Sequence, residues 1–257
     1  MDFVVISLTA LLASMLTLFS GFGLGTLLMP VVALFFPIEI AVAITAIVHL
    51  SNNLFKISLL GRYADWTVVI RFGLPAIIFA FLGALLLTWL ADLKPLFSYA
   101  IGEQIFNVFA VKLVVGLLIL SFVFIELNKR VGKIELDKKY LPLGGMISGF
   151  FGGVSGHQGA LRSMFLIKAG LSKEAFIGTG ITLAVLVDFA RLSIYGWSAT
   201  IDHAGIDWSL VALATLFAFV GAYVGRSLMK KVTIRGVQIV VSILLVVVSL
   251  GLISGVI

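Results

Sequence analysis

Within eight residues, Ser155, His157, Gln158 and Arg162 supply a hydroxyl, an imidazole, an amide and a guanidinium. They lie in and just beyond Gly149-Phe150-Phe151-Gly152-Gly153-Val154-Ser155-Gly156-His157-Gln158-Gly159, where glycine leaves the backbone free to unwind and expose its NH groups. Convergent donors of this kind suit a small oxyanion, which must replace its water shell when it leaves solvent. The cluster is the leading candidate for a substrate site. The plainer reading is helix packing through small residues, with Arg162 capping an interface and His157 packed against the other half.

A second polar set is spread along one helix. Thr45, His49, Asn52, Asn53 and Lys56 fall within an arc of about 100° at helical spacing, on an otherwise apolar segment. Exposing them to lipid would cost several kcal/mol, so they must face protein or water, as the lining of a polar pathway would. Lys56 has a second option, which is to snorkel to the cytoplasmic interface. The corresponding segment of the second half holds Thr179, Thr182, Asp188 and Arg191. Asp188 and Arg191 are three residues apart and can neutralise each other, either as a structural ion pair or in coupling. The sequence does not place both sets in one site. Gly153-Val154-Ser155-Gly156 also matches the G-x-S-G that presents a nucleophilic serine, so an intramembrane hydrolase remains an alternative; its base would be His49 or His157, since His203 falls in a polar loop.

Composition fixes the setting for this chemistry. Of 257 residues, 61% are hydrophobic and only 12% charged, with a mean hydropathy of +1.21. Neither a soluble globule nor a disordered chain has that balance, so the protein is a membrane protein. Eighteen Lys and Arg against twelve Asp and Glu give a formal +6, which here points to anionic headgroups or an anionic substrate and not to nucleic acid. There is no Cys, which excludes thiolate metal sites and disulfides. No cofactor and no metal are expected; the expected partners are a small anion and the lipid bilayer, with a homodimer left open.

Apolar segments near 3–19, 38–60, 66–90, 106–127, 141–169, 173–196, 208–229 and 236–257 are read as helices, because barrel-type alternation is absent. A shorter apolar piece, 26–36, follows the first. The N-terminus has no basic leader and is expected to be retained. Asn128 to Tyr140 is the one sizeable polar stretch, with Lys129, Arg130, Lys133, Lys138 and Lys139. It divides the chain into a first transmembrane repeat, 1–127, a basic cytoplasmic linker, 128–140, and a second repeat, 141–257.

The halves resemble each other. A shift of 134 places Gly25 on Gly159, Ala41 on Ala175 and Thr45 on Thr179; a shift of 142 then places Asp65-Trp66 on Asp207-Trp208 and Gly83 on Gly225. Both halves open on a glycine break, which in the first is Ser20-Gly21-Phe22-Gly23-Leu24-Gly25. Charge gives the topology: if both broken segments enter and leave on one side, Arg62 and the basic loop Arg226, Lys230, Lys231 and Arg235 are cytoplasmic, while the loop with Asp202 and Asp207 and the 91–105 loop lie outside. The expected fold is therefore an all-α polytopic membrane protein of two inverted repeats, each opening with a glycine-broken hairpin or re-entrant segment, with both termini outside.

At Gly21-Phe22-Gly23-Leu24-Gly25 through Pro30, at Gly152-Gly153-Val154-Ser155-Gly156-His157-Gln158-Gly159, and at the two helix starts 39–45 and 173–179 followed by Asp-Trp, the chain resembles the sulfite exporter TauE/SafE family of membrane transporters. The resemblance covers essentially the whole chain. It implies a multi-pass permease of the bacterial cytoplasmic membrane that moves small sulfur-containing anions such as sulfite or organosulfonates, usually outward. His157-Gln158, where the family often has more glycine, and the polar run from His49 to Lys56 depart from its pattern. Alternating access with the solute held between the two breaks is the expected mechanism, and an anion channel is the nearest alternative. On that reading the binding residues are His157, Gln158, Arg162, Ser155, Thr45, His49, Asn52, Asn53, Gly23, Gly25, Thr179 and Thr182, with Lys56, Asp188 and Arg191 in coupling or structural pairing.

Overall fold

The computed structural model describes residues 2–17, 23–128, 136–196, 206–228 and 234–257. Gly21 and Phe22 of the first break, the linker residues 129–135, the loop with Asp202 and His203, and Lys230 and Lys231 lie outside the described residues, as do the side chains of Arg226 and Arg235.

The chain starts with α1 (Asp2–Thr17) and the short α2 (Gly25–Val32). Next come α3 (Ile38–Leu60) and α4 (Trp66–Ala91), then two strands, β1 (Phe97–Ile101) and β2 (Gln104–Val108), and α5 (Ala110–Leu127). The second half contributes α6 (Leu141–Ser155), α7 (Gly159–Leu166), α8 (Lys173–Tyr195), α9 (Trp208–Leu228) and α10 (Ile234–Ser254). Four stretches are long and apolar enough to cross a membrane: Ile38–Tyr63, Trp66–Ala91, Lys173–Tyr195 and Trp208–Gly225. Shorter apolar helices cover Asp2–Leu16, Ala110–Ile125 and Ser242–Ser254. The protein is a mostly helical, multi-pass membrane protein.

Helix starts are set by local chemistry. The Asp65 carboxylate accepts the Val68 N–H at 3.0 Å and caps α4, and Asp207 accepts the Leu210 N–H at 3.1 Å at the start of α9. Trp66 and Trp208, which follow these caps, are each 65% exposed, as suits indoles at a membrane–water interface. Ser172 caps α8 by accepting the Ala175 N–H at 3.2 Å.

The expectation of an all-α fold needs correction here. The segment read as helical from 106 begins at Ala110, because Phe97–Val108 forms an antiparallel hairpin with Ile101 opposite Gln104. Gly102, at φ 63°, supplies the positive φ that a two-residue hairpin turn requires. The ring of Tyr99 stacks on Phe106, and the Tyr99 hydroxyl donates to the Ser254 carbonyl at 2.6 Å, which ties the hairpin to the end of α10. The 141–169 segment, read as broken between Gly149 and Gly159, is helical through Ser155 and resumes as a second helix at Gly159. α6 ends at Gly156 in the left-handed conformation, φ 77°, and α7 starts three residues later and turns back. A Cβ on Gly144, in the first turn of α6, would run into the Phe165 ring at the end of α7, so the two helices lie antiparallel.

Packing between the halves is close. α4 lies on α6, α1 on α9, α5 on α10 and α3 on α8. A Cβ on Gly145, Gly149 or Gly153 would collide with the Phe72, Ala76 or Ala80 carbonyl of α4, so α6 presents one bare edge to that helix. Gly221 and Gly225 of α9 approach the Leu11 and Met15 carbonyls of α1 in the same way. The other side of α4 exposes Ile70, Leu74, Ile78, Leu82 and Leu85, an apolar face suited to lipid.

Candidate functional site

The site is built where the α6–α7 break meets α3 and α8. Gly156 is the pivot. Its would-be Cβ lies 2.8 Å from Arg191 Nη1, so the position demands both a positive φ and an absent side chain. The break is pinned on either side: Ser148 donates its hydroxyl to the Gln158 carbonyl at 3.0 Å, and the Tyr195 hydroxyl donates to the Gly153 carbonyl. The first-half glycines reach the same place. A Cβ on Gly25 would stand 3.7 Å from the Gly156 carbonyl and 3.5 Å from Thr45 Cγ2, and one on Gly23 would stand 3.2 Å from His49 Nε2.

Asp188 is the hub. Its Oδ1 accepts from Arg191 Nη2 at 2.7 Å and Nε at 3.0 Å, and its Oδ2 lies 2.6 Å from His49 Nδ1. Because a carboxylate only accepts, His49 Nδ1 carries the hydrogen. Gln158 Nε2 approaches Oδ1 at 3.5 Å, and Gln158 Oε1 in turn accepts from Arg162 Nη1 at 3.3 Å. Asn53 stands 3.3 Å from His49 Nε2. The polar stripe of α3 and the Asp188–Arg191 pair, which sequence left apart, thus form one network across the two halves.

His157 points its Nδ1 at the Ser155 carbonyl, 3.0 Å away, so Nδ1 is the protonated nitrogen of the neutral ring and Nε2 presents a lone pair. The ring lies parallel to Phe122 of α5 with centroids 5.5 Å apart, so His157 does pack against the first half. Among the described residues, four buried side-chain atoms near these helices lack a hydrogen-bond partner: Thr45 Oγ1, Asn52 Nδ2, His157 Nε2 and Arg191 Nη1. Native interiors leave few such atoms, and each calls for an explanation.

Charge sharpens the question. Among the described residues the buried charged side chains are Lys56, Arg162 and Arg191 against Asp188 alone, three cations and one carboxylate. A charge buried without a partner is costly, and a bound anion would relieve this excess. No three His, Cys, Asp or Glu side chains gather as a metal ion would need, among the described residues.

Several expected site residues lie elsewhere or have other duties. Thr179 Oγ1 accepts the Asp65 N–H at 2.9 Å and so serves the start of α4, and Thr182 donates to the Gly178 carbonyl of its own helix at 2.9 Å. Neither hydroxyl belongs to the network. Ser155 donates to the Phe151 carbonyl at 3.1 Å, a helical hydroxyl satisfied by its own turn. His49 lies on Asp188 and His157 on a carbonyl, so among the described residues no histidine pairs with Ser155. Lys56 is only 5% exposed and therefore does not snorkel. Asn52 joins α1, its Oδ1 accepting from Ser14 at 3.1 Å. Ser14, Ser148, Phe122 and Tyr195 were not singled out in the sequence; their roles depend on contacts with distant segments, which no local pattern encodes.

A family model described as Sulfite exporter TauE/SafE matches residues 6–252 of the chain. No curated protein and no solved structure matches it.

Proposed function

The chain belongs to the sulfite exporter TauE/SafE family, whose members are membrane transporters of sulfur-containing anions, and on that premise we propose that it exports sulfite or a small organosulfonate across the bacterial cytoplasmic membrane. The solute sits where the two glycine breaks meet, bound by Arg191, Arg162, Gln158 and Thr45, with His49, Asn53 and His157 beside it. The observation that carries this reading is two buried guanidiniums, Arg162 and Arg191, against one buried carboxylate, Asp188, where Arg191 Nη1 and Thr45 Oγ1 have no partner among the described residues. A sulfite or sulfonate group offers three oxygens, enough to accept from a guanidinium and a hydroxyl at once.

Alternating access by two inverted repeats completes the proposal. What supports it is that the helix pairings map onto themselves when the halves are exchanged: α1 on α9 answers α6 on α4, while α3 on α8 and α5 on α10 pair like with like. The Asp65 and Asp207 caps and their exposed tryptophans match in the same way. His49–Asp188 and Gly25–Gly156 cross between halves, so moving one half against the other opens the site. The test is sulfite flux into proteoliposomes. Arg162→Ala and His157→Ala should each slow saturable, counterflow-sensitive uptake about tenfold or more while the protein stays folded. Wild-type rates in both would remove this site, and flux that never saturates would replace the carrier with a channel. A panel of sulfite, sulfoacetate, taurine and sulfate, scored by thermal stabilisation, ranks the substrates.

A further inference from the structure

Lys56 takes no part in the network around Asp188. The residue is 5% exposed, and among the described residues it has no hydrogen-bond or ion-pair partner. One turn earlier on α3, Asn52 is fully buried; its Oδ1 is held by Ser14 of α1, while its Nδ2 has no acceptor. Helical side chains lean toward the N-terminus of their helix, so Lys56 leans toward Asn52. Two unanswered donors, one of them a cation, therefore share one side of α3. Lys56 starts further along α3 than the central network: seven residues, roughly 10 Å of helical rise, separate its backbone from that of His49, with Asn52 between them.

The sole buried carboxylate among the described residues cannot serve Lys56, because Asp188 already accepts from Arg191 twice and from His49. We propose that Lys56 and Asn52 form a second anion subsite, distinct from the one at the glycine breaks, that takes a small oxyanion of the sulfite or sulfonate class. The subsite rests on the transport reading for the identity of its ligand and on Lys56 and Asn52 alone for its existence. Asn52 gives an amide N–H to one oxygen and Lys56 gives the ammonium to another, and the ammonium's buried charge is then neutralised. A solute leaving the central site toward the far end of α3 would pause here before release.

Equilibrium dialysis of the purified full chain against radiolabelled sodium sulfite tests this, with proteoliposome flux measured in parallel. The wild type should bind two sulfite ions per chain and Lys56→Met one. Lys56→Met is chosen because exchanging a buried unpaired charge for a methionine removes a desolvation cost and favours folding. Lys56→Arg should restore the second ion, and Arg162→Gln should lose the central ion and keep the one at Lys56. The affinity at the Lys56 subsite should fall roughly tenfold or more in Asn52→Ala, the loss of one hydrogen bond to a charged group. A wild type with a single class of site, or a Lys56→Met variant that binds as the wild type does, overturns the proposal. The two readings fail separately: two bound ions without flux would remove transport and keep the subsite, whereas wild-type binding and flux in Lys56→Met alongside lost flux in Arg162→Ala would do the reverse.

Discussion

At the residue scale the decisive feature is that Asp188 has no spare capacity. With 0% exposure it is held by Arg191 on its own helix and by His49 from the other half. Removing one partner of such a group strands the other, at about 3–5 kcal/mol, whereas removing both costs much less. Asp188→Asn and Arg191→Gln are therefore expected to lower the melting temperature strongly one at a time, and the double substitution should melt well above the value that adding the two losses gives. Thermal melts of the four proteins in detergent check this, and additive losses would show that the pair is not coupled. The intrahelical part of this network was legible in the sequence, because three-residue spacing on a helix places Asp188 beside Arg191 whatever else the chain does. The His49–Asp188 contact was not: it joins residues 139 apart and depends on how α3 meets α8. Lys56 shows the same limit from the other side, since a lysine near a helix end reads alike whether it reaches the interface or is covered by neighbouring helices.

At the element scale, α6 and α4 approach so closely that carbonyl oxygens of one occupy the space where side chains of the other would begin. Gly149 is central, its would-be Cβ falling on the Ala76 carbonyl. Gly149→Ala should push the helices apart and cost about 1–3 kcal/mol, as overpacking of a tight core does. Gly196→Ala is the control. That glycine has φ −66°, and its Cβ would meet only the Leu192 carbonyl of its own helix, so the melt should stay within about 0.5 kcal/mol of wild type. Equal losses in the two would show that the contact with the Ala76 carbonyl does not set the result, since helix propensity alone favours alanine at both positions. The sequence marked Gly149 to Gly159 as one unwound break, with packing through small residues as the plainer reading, whereas the helix runs on to Ser155; hydropathy located the long helices to within a few residues. It gave no partner for the glycine edge. It also passed over the Phe97–Val108 hairpin, because Lys94 and Glu103 make that stretch resemble a polar loop, and Leu96 to Phe109 holds too few residues for alternation to stand out against a chain that is apolar throughout.

At the scale of the whole molecule, the long helices find their principal partners in the opposite half. α1 needs α9, α4 needs α6 and α8, and α5 needs α10. A half made alone would leave the glycine edges of α6 and α9, or the faces of α4 and α1 that meet them, without their counterparts, and in lipid no hydrophobic effect between helices makes up for lost packing. Residues 1–130 and 136–257, expressed as separate chains, should each be degraded or aggregate when made alone. Expressed together they should copurify through a tag on one half and recover sulfite flux, because the residues they lose, 131–135, lie within the polar 128–140 stretch between α5 and α6. The central network gives this a sharper form. His49 and Asp188 would then come from different chains, so Asp188→Asn in the second half should weaken copurification with the first, while Thr182→Ala, whose hydroxyl serves only its own helix, should not. A first half that folds and stays monodisperse without the second would show that the interface between halves is an accessory to the fold, and would leave the site without the two-sided construction on which movement of one half against the other depends.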